Sequence, residues 1–190
     1  VIFDLIDQVR SKAVPLHLEN RGVLLCNLII LHQIISASEN LLVEAAKEAT
    51  GDLKEYYTHH LEEERQHEKW LADDLATAGI DVKQLPLDWD AADMAGSQYY
   101  LIKHVDPAAL LGYMAVLECY PFPMQQLETL EMIHGKPLLR CLRYHAENDP
   151  QHGDDLKKVL AKHSSPLVMS NAVRTQQRIN AITRKLSELC

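Results

Sequence analysis

Apolar residues recur along this chain at spacings of three and four, and no segment alternates apolar with polar residues at a period of two. The pattern predicts helices from end to end. A first short helix ends before Pro15, a second covers about Gly22 to Ile35, and a third runs from Ser38 and Glu39 to about Ala49. Gly51 and Asp52 open a long helix expected to continue to Ala78, where Gly79 stops it. Ile80 to Asp88, with Pro86, reads as a loop, and another helix covers about Asp90 to His104. Asp106 before Pro107 pairs an N-cap residue with proline at the first helical position, and that helix is expected to reach Tyr120. Pro121 and Pro123 force a bend, a further helix ends at His134 before Gly135, and Pro137 opens one to about Asn148. Pro150 has no N–H to donate, so a kink or restart is expected before the helix continues to Lys162. Ser164, Ser165 and Pro166 start the last helix. The expectation is an all-α bundle forming one domain over residues 1–190.

Three helical faces carry polar residues where apolar ones belong. A helix turns about 100° per residue, so spacings of three, four and seven share a face. On the helix from Gly51 the stripe reads Leu53, Tyr57, His60, Glu64, His67, Leu71, Ala78, apolar at both ends and polar in the middle. Glu64 and His67 form an E-x-x-H pair whose side chains can reach one ion. A solvated charged face is the alternative, given Glu62, Glu63, Arg65, Gln66, Glu68 and Lys69 around them; those neighbours are expected to point elsewhere. Glu118 is the one charge between Pro107 and Met124 and shares a face with Leu111, Met114 and Ala115. A buried, unpaired carboxylate costs several kcal/mol, so Glu118 must bind a cation, stay protonated or pair with an arginine such as Arg140 or Arg143. His145, Asp149 and His152 fall at i, i+4 and i+7, with Leu138 and Leu142 upstream and Leu156 and Val159 downstream. The competing account makes Asp149 an N-cap for a helix beginning at Pro150.

Together these faces offer three histidines and three carboxylates from separate helices. Mixed imidazole and carboxylate ligands suit iron or manganese better than structural zinc, which favours thiolates. Cys26, Cys119, Cys141 and Cys190 lack metal-ligand spacing and are too sparse for a disulfide scaffold, so reduced thiols are expected. The net charge of −8 argues against a nucleic-acid partner. Leu24 to Ile35 is short for a membrane span and contains Asn27, His32 and Gln33; Pro107 to Met124 carries Glu118 inside it. Asp4, Asp7 and Arg10 near the start are unlike a secretory leader, so a cytoplasmic, membrane-free protein is expected.

Three segments resemble the haem-oxygenase-like diiron oxidases and oxygenases: H-H-L-E-E-E-R-Q-H-E-K-W-L-A-D-D-L from His59, G-Y-M-A-V-L-E from Gly112 and H-A-E-N-D-P-Q-H from His145. The resemblance implies a bundle of about seven helices and a single domain. It implies Glu64, His67, Glu118, His145, Asp149 and His152 as ligands to two Fe(II), or Mn, with O2 as co-substrate. Some relatives carry a ligand Glu seven residues before the His, and His60 occupies that position here, as a seventh ligand or a partner to one. The implied activity is oxidation of a small organic molecule, such as an amino acid, fatty acid or amine, with a homodimer among the assemblies open to the chain. Tyr57, Trp70, Tyr113 and Tyr144 are candidates to line the pocket.

Other readings stay open at this point. A second E-x-x-H, Glu131 with His134, could serve a ferritin-like di-iron site with Glu118, although Pro121 and Pro123 leave little room between them. The same fold without two irons would need His17 or His32 for haem, or Cys119 as nucleophile in a thiaminase-like hydrolase. A helical scaffold with no metal is the remaining alternative.

Overall fold

The computed structural model describes residues 1–188; Cys190 lies outside the described residues. Among them there is no strand, and the helices are α1 Ile2–Arg10, α2 Arg21–Ile35, α3 Ser38–Glu48, α4 Gly51–Glu63, α5 His67–Thr77, α6 Trp89–His104, α7 Leu110–Glu118, α8 Met124–His134, α9 Arg140–His163 and α10 Pro166–Ser187. Several starts follow directly from capping chemistry. The side chains of Asn20, Asp88 and Ser165 each accept from backbone N–H groups of the first turn, and Asp106 accepts from Ala108 ahead of α7.

Three boundaries differ from the periodic pattern. The long helix expected from Gly51 to Ala78 is two helices, broken at Glu64–Gln66. Gln66 adopts the left-handed conformation with φ 70°, and its N–H donates to the Glu39 carboxylate at 2.7 Å. The expected restart at Pro150 is absent: α9 is continuous for 24 residues with Pro150 inside it, so Asp149 is mid-helix and not an N-cap. The helix from Pro107 begins with a single 3-10 turn and ends at Glu118, two residues before the expected Tyr120.

Two apolar cores form. One gathers α1, α3, α4, α6, α7, α10 and the second half of α9, with Tyr57, Leu110, Leu111 and Leu156 fully enclosed. The other joins the start of α2 with α5, α8 and the first half of α9 through Leu24, Leu28, Leu71, Leu75 and Leu127. Each such leucine contributes about 1.5–3 kcal/mol relative to exposure. Two glycines set how closely α7 approaches its neighbours. A Cβ on Gly112 would overlap the Val168 carbonyl oxygen of α10. A Cβ on Gly153 would lie 3.3 Å from the Glu118 carbonyl oxygen, so α9 closes directly onto the end of α7.

The break between α2 and α3 spans only Ser36 and Ala37, which lengthens the apolar run beyond the expected Leu24–Ile35. By length and composition Arg21–Glu48, 28 residues with an 18-residue stretch of mean hydropathy 1.4, could cross a membrane. In this fold α2 packs on α5 and α6 with a third of that stretch buried, and its Gln33 side chain donates to the Pro86 carbonyl and accepts from the Asp88 N–H.

Candidate metal centre

Polar side chains fill the seam between the two cores. The end of α4 brings His60 and Glu63, the break brings Glu64, and the first residue of α5 is His67. Glu118 ends α7, while His145, Asp149 and His152 descend one face of α9. His60, Glu64, His67, Asp149 and His152 are all buried, His67 completely. The side chains of Glu118 and His145 retain 14% and 19% exposure, and Glu63 is about one-third exposed.

The cluster has two halves. In the first, His67 Nδ1 lies 3.2 Å from Glu64 Oε2, and His145 Nδ1 lies 3.1 Å from Asp149 Oδ1. One ligand atom each from Glu64, His67 and His145 falls within a mutual 4.8 Å, the reach of a single ion. In the second half, His60 Nε2 lies 3.2 Å from Glu118 Oε1 and 4.0 Å from Glu64 Oε1. His152 packs edge-on against His60 with ring centroids 5.5 Å apart, and its Nδ1 lies 3.8 Å from Asp149 Oδ1. Glu64 and Asp149 therefore stand between the halves.

The electrostatics of this seam call for cations. Burial pushes the Glu118 carboxyl above its ordinary range, against the pull of His60. Burial also opposes ionisation of Glu64, but His67, His145 and His60 together hold it below the ordinary range. Burial alone would lower His60 and His145. Glu118, Glu64 and Glu63 instead raise His60 to about 9, and Asp149, Cys141 and Glu64 raise His145 to about 10. The donor set also fits a metal: His67 Nε2, His145 Nε2, His152 Nδ1 and Glu118 Oε2 are buried without a hydrogen-bond partner. Buried polar atoms in folded proteins are almost always paired, so four orphans converging on one seam point to a ligand that they share.

The structure brings together all six residues picked out by helical spacing, and His60 with them. It separates the others. Arg140 is bound to Asp74 and Arg143 to Glu131 and Glu147, so neither neutralises Glu118. Glu131 is clamped by Arg143, and His134 Nε2 bonds the Leu18 carbonyl at 2.9 Å, which removes this E-x-x-H from a ferritin-like site. His17 is exposed and pairs with Glu19, while His32 is buried within α2. Burial pushes the Cys119 thiol up to about 12, the wrong direction for a nucleophile.

Of the four aromatics expected at a pocket, Tyr57 belongs to the core and donates to the Pro107 carbonyl at 2.8 Å. Trp70 packs tilted and Tyr144 edge-on against His67, and Tyr113 lines a cavity of about 30 Å³ with Leu41, Met114, His60, Glu64 and Glu118. Two residues escape the helical-spacing argument. Tyr56 stacks on His60 and buries an unpartnered hydroxyl. Glu63, expected to face outward, lies 3.2 Å from His60 Nδ1. The signal for Glu63 was its i+3 spacing from His60, which reads as a pair only once His60 is placed inside.

No family model matches the chain, and no curated protein matches it. Among solved structures it is similar to a domain of unknown function with a haem oxygenase-like fold from Shewanella denitrificans OS217. That alignment has a TM-score of 0.70 at 13% identity and covers 97% of this chain and 83% of the other. This superposition over an all-helical chain shows that the chain has the haem-oxygenase-like fold.

Proposed function

We propose that this protein is a non-haem diiron enzyme that uses O2 to oxidise a small organic substrate. The observation that carries this reading is the buried seam of four histidines and three carboxylates in which His67, His145, His152 and Glu118 each present an unpartnered atom. Glu64, His67, His145 and Asp149 would hold one ion, and His60, Glu118 and His152 the other, with Glu64 and Asp149 within reach of both. Two irons bound there would supply electrons for the two-electron reduction of O2.

The chain's own groups prepare the site for that chemistry. Metal bound at His60 and His145 would displace any proton from the ligating nitrogen, so protons would be exchanged for cations. Leu41, Met114 and Tyr113 wall the small cavity beside Glu118, whose volume suits a molecule of about the size of water or dioxygen. The buried Tyr113 hydroxyl has no partner and is free to donate to a polar atom lodged there. Trp70 and Tyr144 border a surface pocket of about 250 Å³ and contact His67 from that side, a fitting approach for a small substrate.

The test is O2 consumption by anaerobically Fe(II)-loaded protein, followed with an oxygen electrode against amino acids, fatty acids and amines. Turnover is expected, and Glu118→Ala and His145→Ala should each abolish it while circular dichroism shows the fold intact. Full turnover in either variant would remove that residue from the mechanism.

A further inference from the structure

The imidazole at position 60, set among the carboxylates of the centre, raises a chemical question. A carboxylate ligand has two equivalent oxygens and needs no further partner to fix its form. A ligating imidazole uses one nitrogen, and the other must carry an N–H whose acceptor sets both tautomer and ring orientation. His60 is 2% exposed, so water cannot serve freely as that acceptor. Its Nε2 faces Glu118 and Glu64, the carboxylates of the centre, at 3.2 and 4.0 Å. Its Nδ1 faces Glu63 Oε2 at 3.2 Å.

We propose that Glu63 is a positioning residue of the metal centre, accepting from His60 Nδ1–H so that His60 Nε2 is left to bind the ion. This inference rests on the diiron reading. The second oxygen of the same carboxylate faces His152. Glu63 Oε1 lies 4.0 Å from His152 Nε2, an ion-pair distance too long for a hydrogen bond, and 3.5 Å from the exposed His59. The opposite nitrogen of His152, Nδ1, is buried without a partner on the side of Asp149. One carboxylate thus stands behind both imidazoles of the second half of the centre. In the first half the carboxylates on the Nδ1 atoms are Glu64 and Asp149, which on this reading are ligands themselves, and the Nε2 atoms are unpartnered. The two ion positions are therefore unequal, and Glu63 acts on one of them.

The decisive experiment is a Co(II) titration of the full chain by calorimetry, with Glu63→Ala, Glu63→Gln and, as control, the exposed neighbour Glu62→Ala. Wild type and E62A should take up two ions per chain. E63A should weaken one of the two by about 10–100-fold and leave the other unchanged. E63Q, whose amide oxygen still accepts one ring N–H, should recover most of that loss. In the Co(II)-loaded proteins, a solvent-exchangeable imidazole N–H resonance shifted by the ion should exchange faster in E63A than in wild type. The Glu63 side chain is about one-third exposed at a helix end, so E63A keeps the fold, and E63Q preserves its shape. Wild-type affinity for both ions in E63A overturns the proposal. So does an E63Q loss as complete as that of E63A, which would make Glu63 a direct ligand. Wild-type protein that takes up no Co(II) removes the metal centre itself, an outcome distinct from a failure of Glu63 alone.

Discussion

Two segments of this chain spell Glu-x-x-His, and the fold treats them in opposite ways. Glu131 and His134 lie on the uninterrupted helix α8, where Arg143 grips the carboxylate at 2.6 Å through two nitrogens and the Leu18 carbonyl takes the imidazole. Every strong group there has a partner within the protein. Glu64 and His67 straddle the break between α4 and α5, both buried, and His67 Nε2 has no partner. The spacing is identical in the two cases. What distinguishes a ligand pair from a structural pair is whether the surrounding chain satisfies it, since a buried group left unpaired costs about 1–3 kcal/mol.

Iron content breaks or sustains this contrast most directly. Glu64→Ala and His67→Ala are expected to lose one or both Fe(II) ions, whereas Glu131→Ala and His134→Ala should retain the wild-type complement of about two per chain. Metal analysis after anaerobic loading and desalting reads this out, and iron loss in the second pair of variants would erase the distinction.

Thermal stability should divide the motifs next. Saturating Fe(II) at about 100 times its Kd adds about 2.7 kcal/mol, which in a chain of this size raises the melting temperature by roughly 5–10 °C. Glu131→Ala should lower the melting temperature with or without iron, by the equivalent of about 1–3 kcal/mol for a charged hydrogen-bonded pair. Calorimetric scans that show no response of wild type to iron would contradict the first expectation.

The dependence on pH follows from His60, raised to about 9, and His145, raised to about 10. Protons compete with metal on both rings, so Fe(II) or Co(II) affinity should fall as pH falls, by up to about tenfold per unit for each proton displaced. For the metal-free protein the sign is opposite. A folded-state pKa above the unfolded value of about 6.5 contributes stability that is complete below that pH and lost as pH rises through about 9 to 10. Denaturant titrations of metal-free protein at pH 6.5 and 9.5 check this; equal or greater stability at the higher pH would contradict it.

The smallest effect concerns the break itself. Gln66 sits in left-handed backbone that disfavours a side chain, so Gln66→Gly should stabilise the protein by about 0.5–1 kcal/mol. A loss of stability would mean that the Gln66 side chain contributes more than its backbone strain removes.

The helical nature of the chain and the burial of its polar stripes were legible because both rest on local periodicity. His60, Glu64, His67 and Leu71 alternate at spacings that survive even though the helix between them does not. The break was not legible, because its cause is remote: the Gln66 N–H is taken by Glu39, 27 residues away in sequence. At Pro150, where a kink or restart was expected, the helix does not restart. Packing of α9 against α5, α7 and α8 carries the helix through a residue that local rules would use to stop it. At the site, sequence spacing found the carboxylates and histidines of three helices but could not decide between an ion and an arginine for Glu118. The structure removes the arginine, since Arg140 and Arg143 both belong to other carboxylates. Glu63 was read as outward because it neighbours exposed charges, yet the end of α4 lets its side chain turn toward His60.

Anomalous diffraction at the iron edge from crystals soaked anaerobically in Fe(II) tests the central claim with least inference. Two peaks in the seam, one by Glu64, His67 and His145 and one by His60, Glu118 and His152, are the predicted result. A map without peaks among these residues, or with iron at Glu131 and His134 instead, would contradict it.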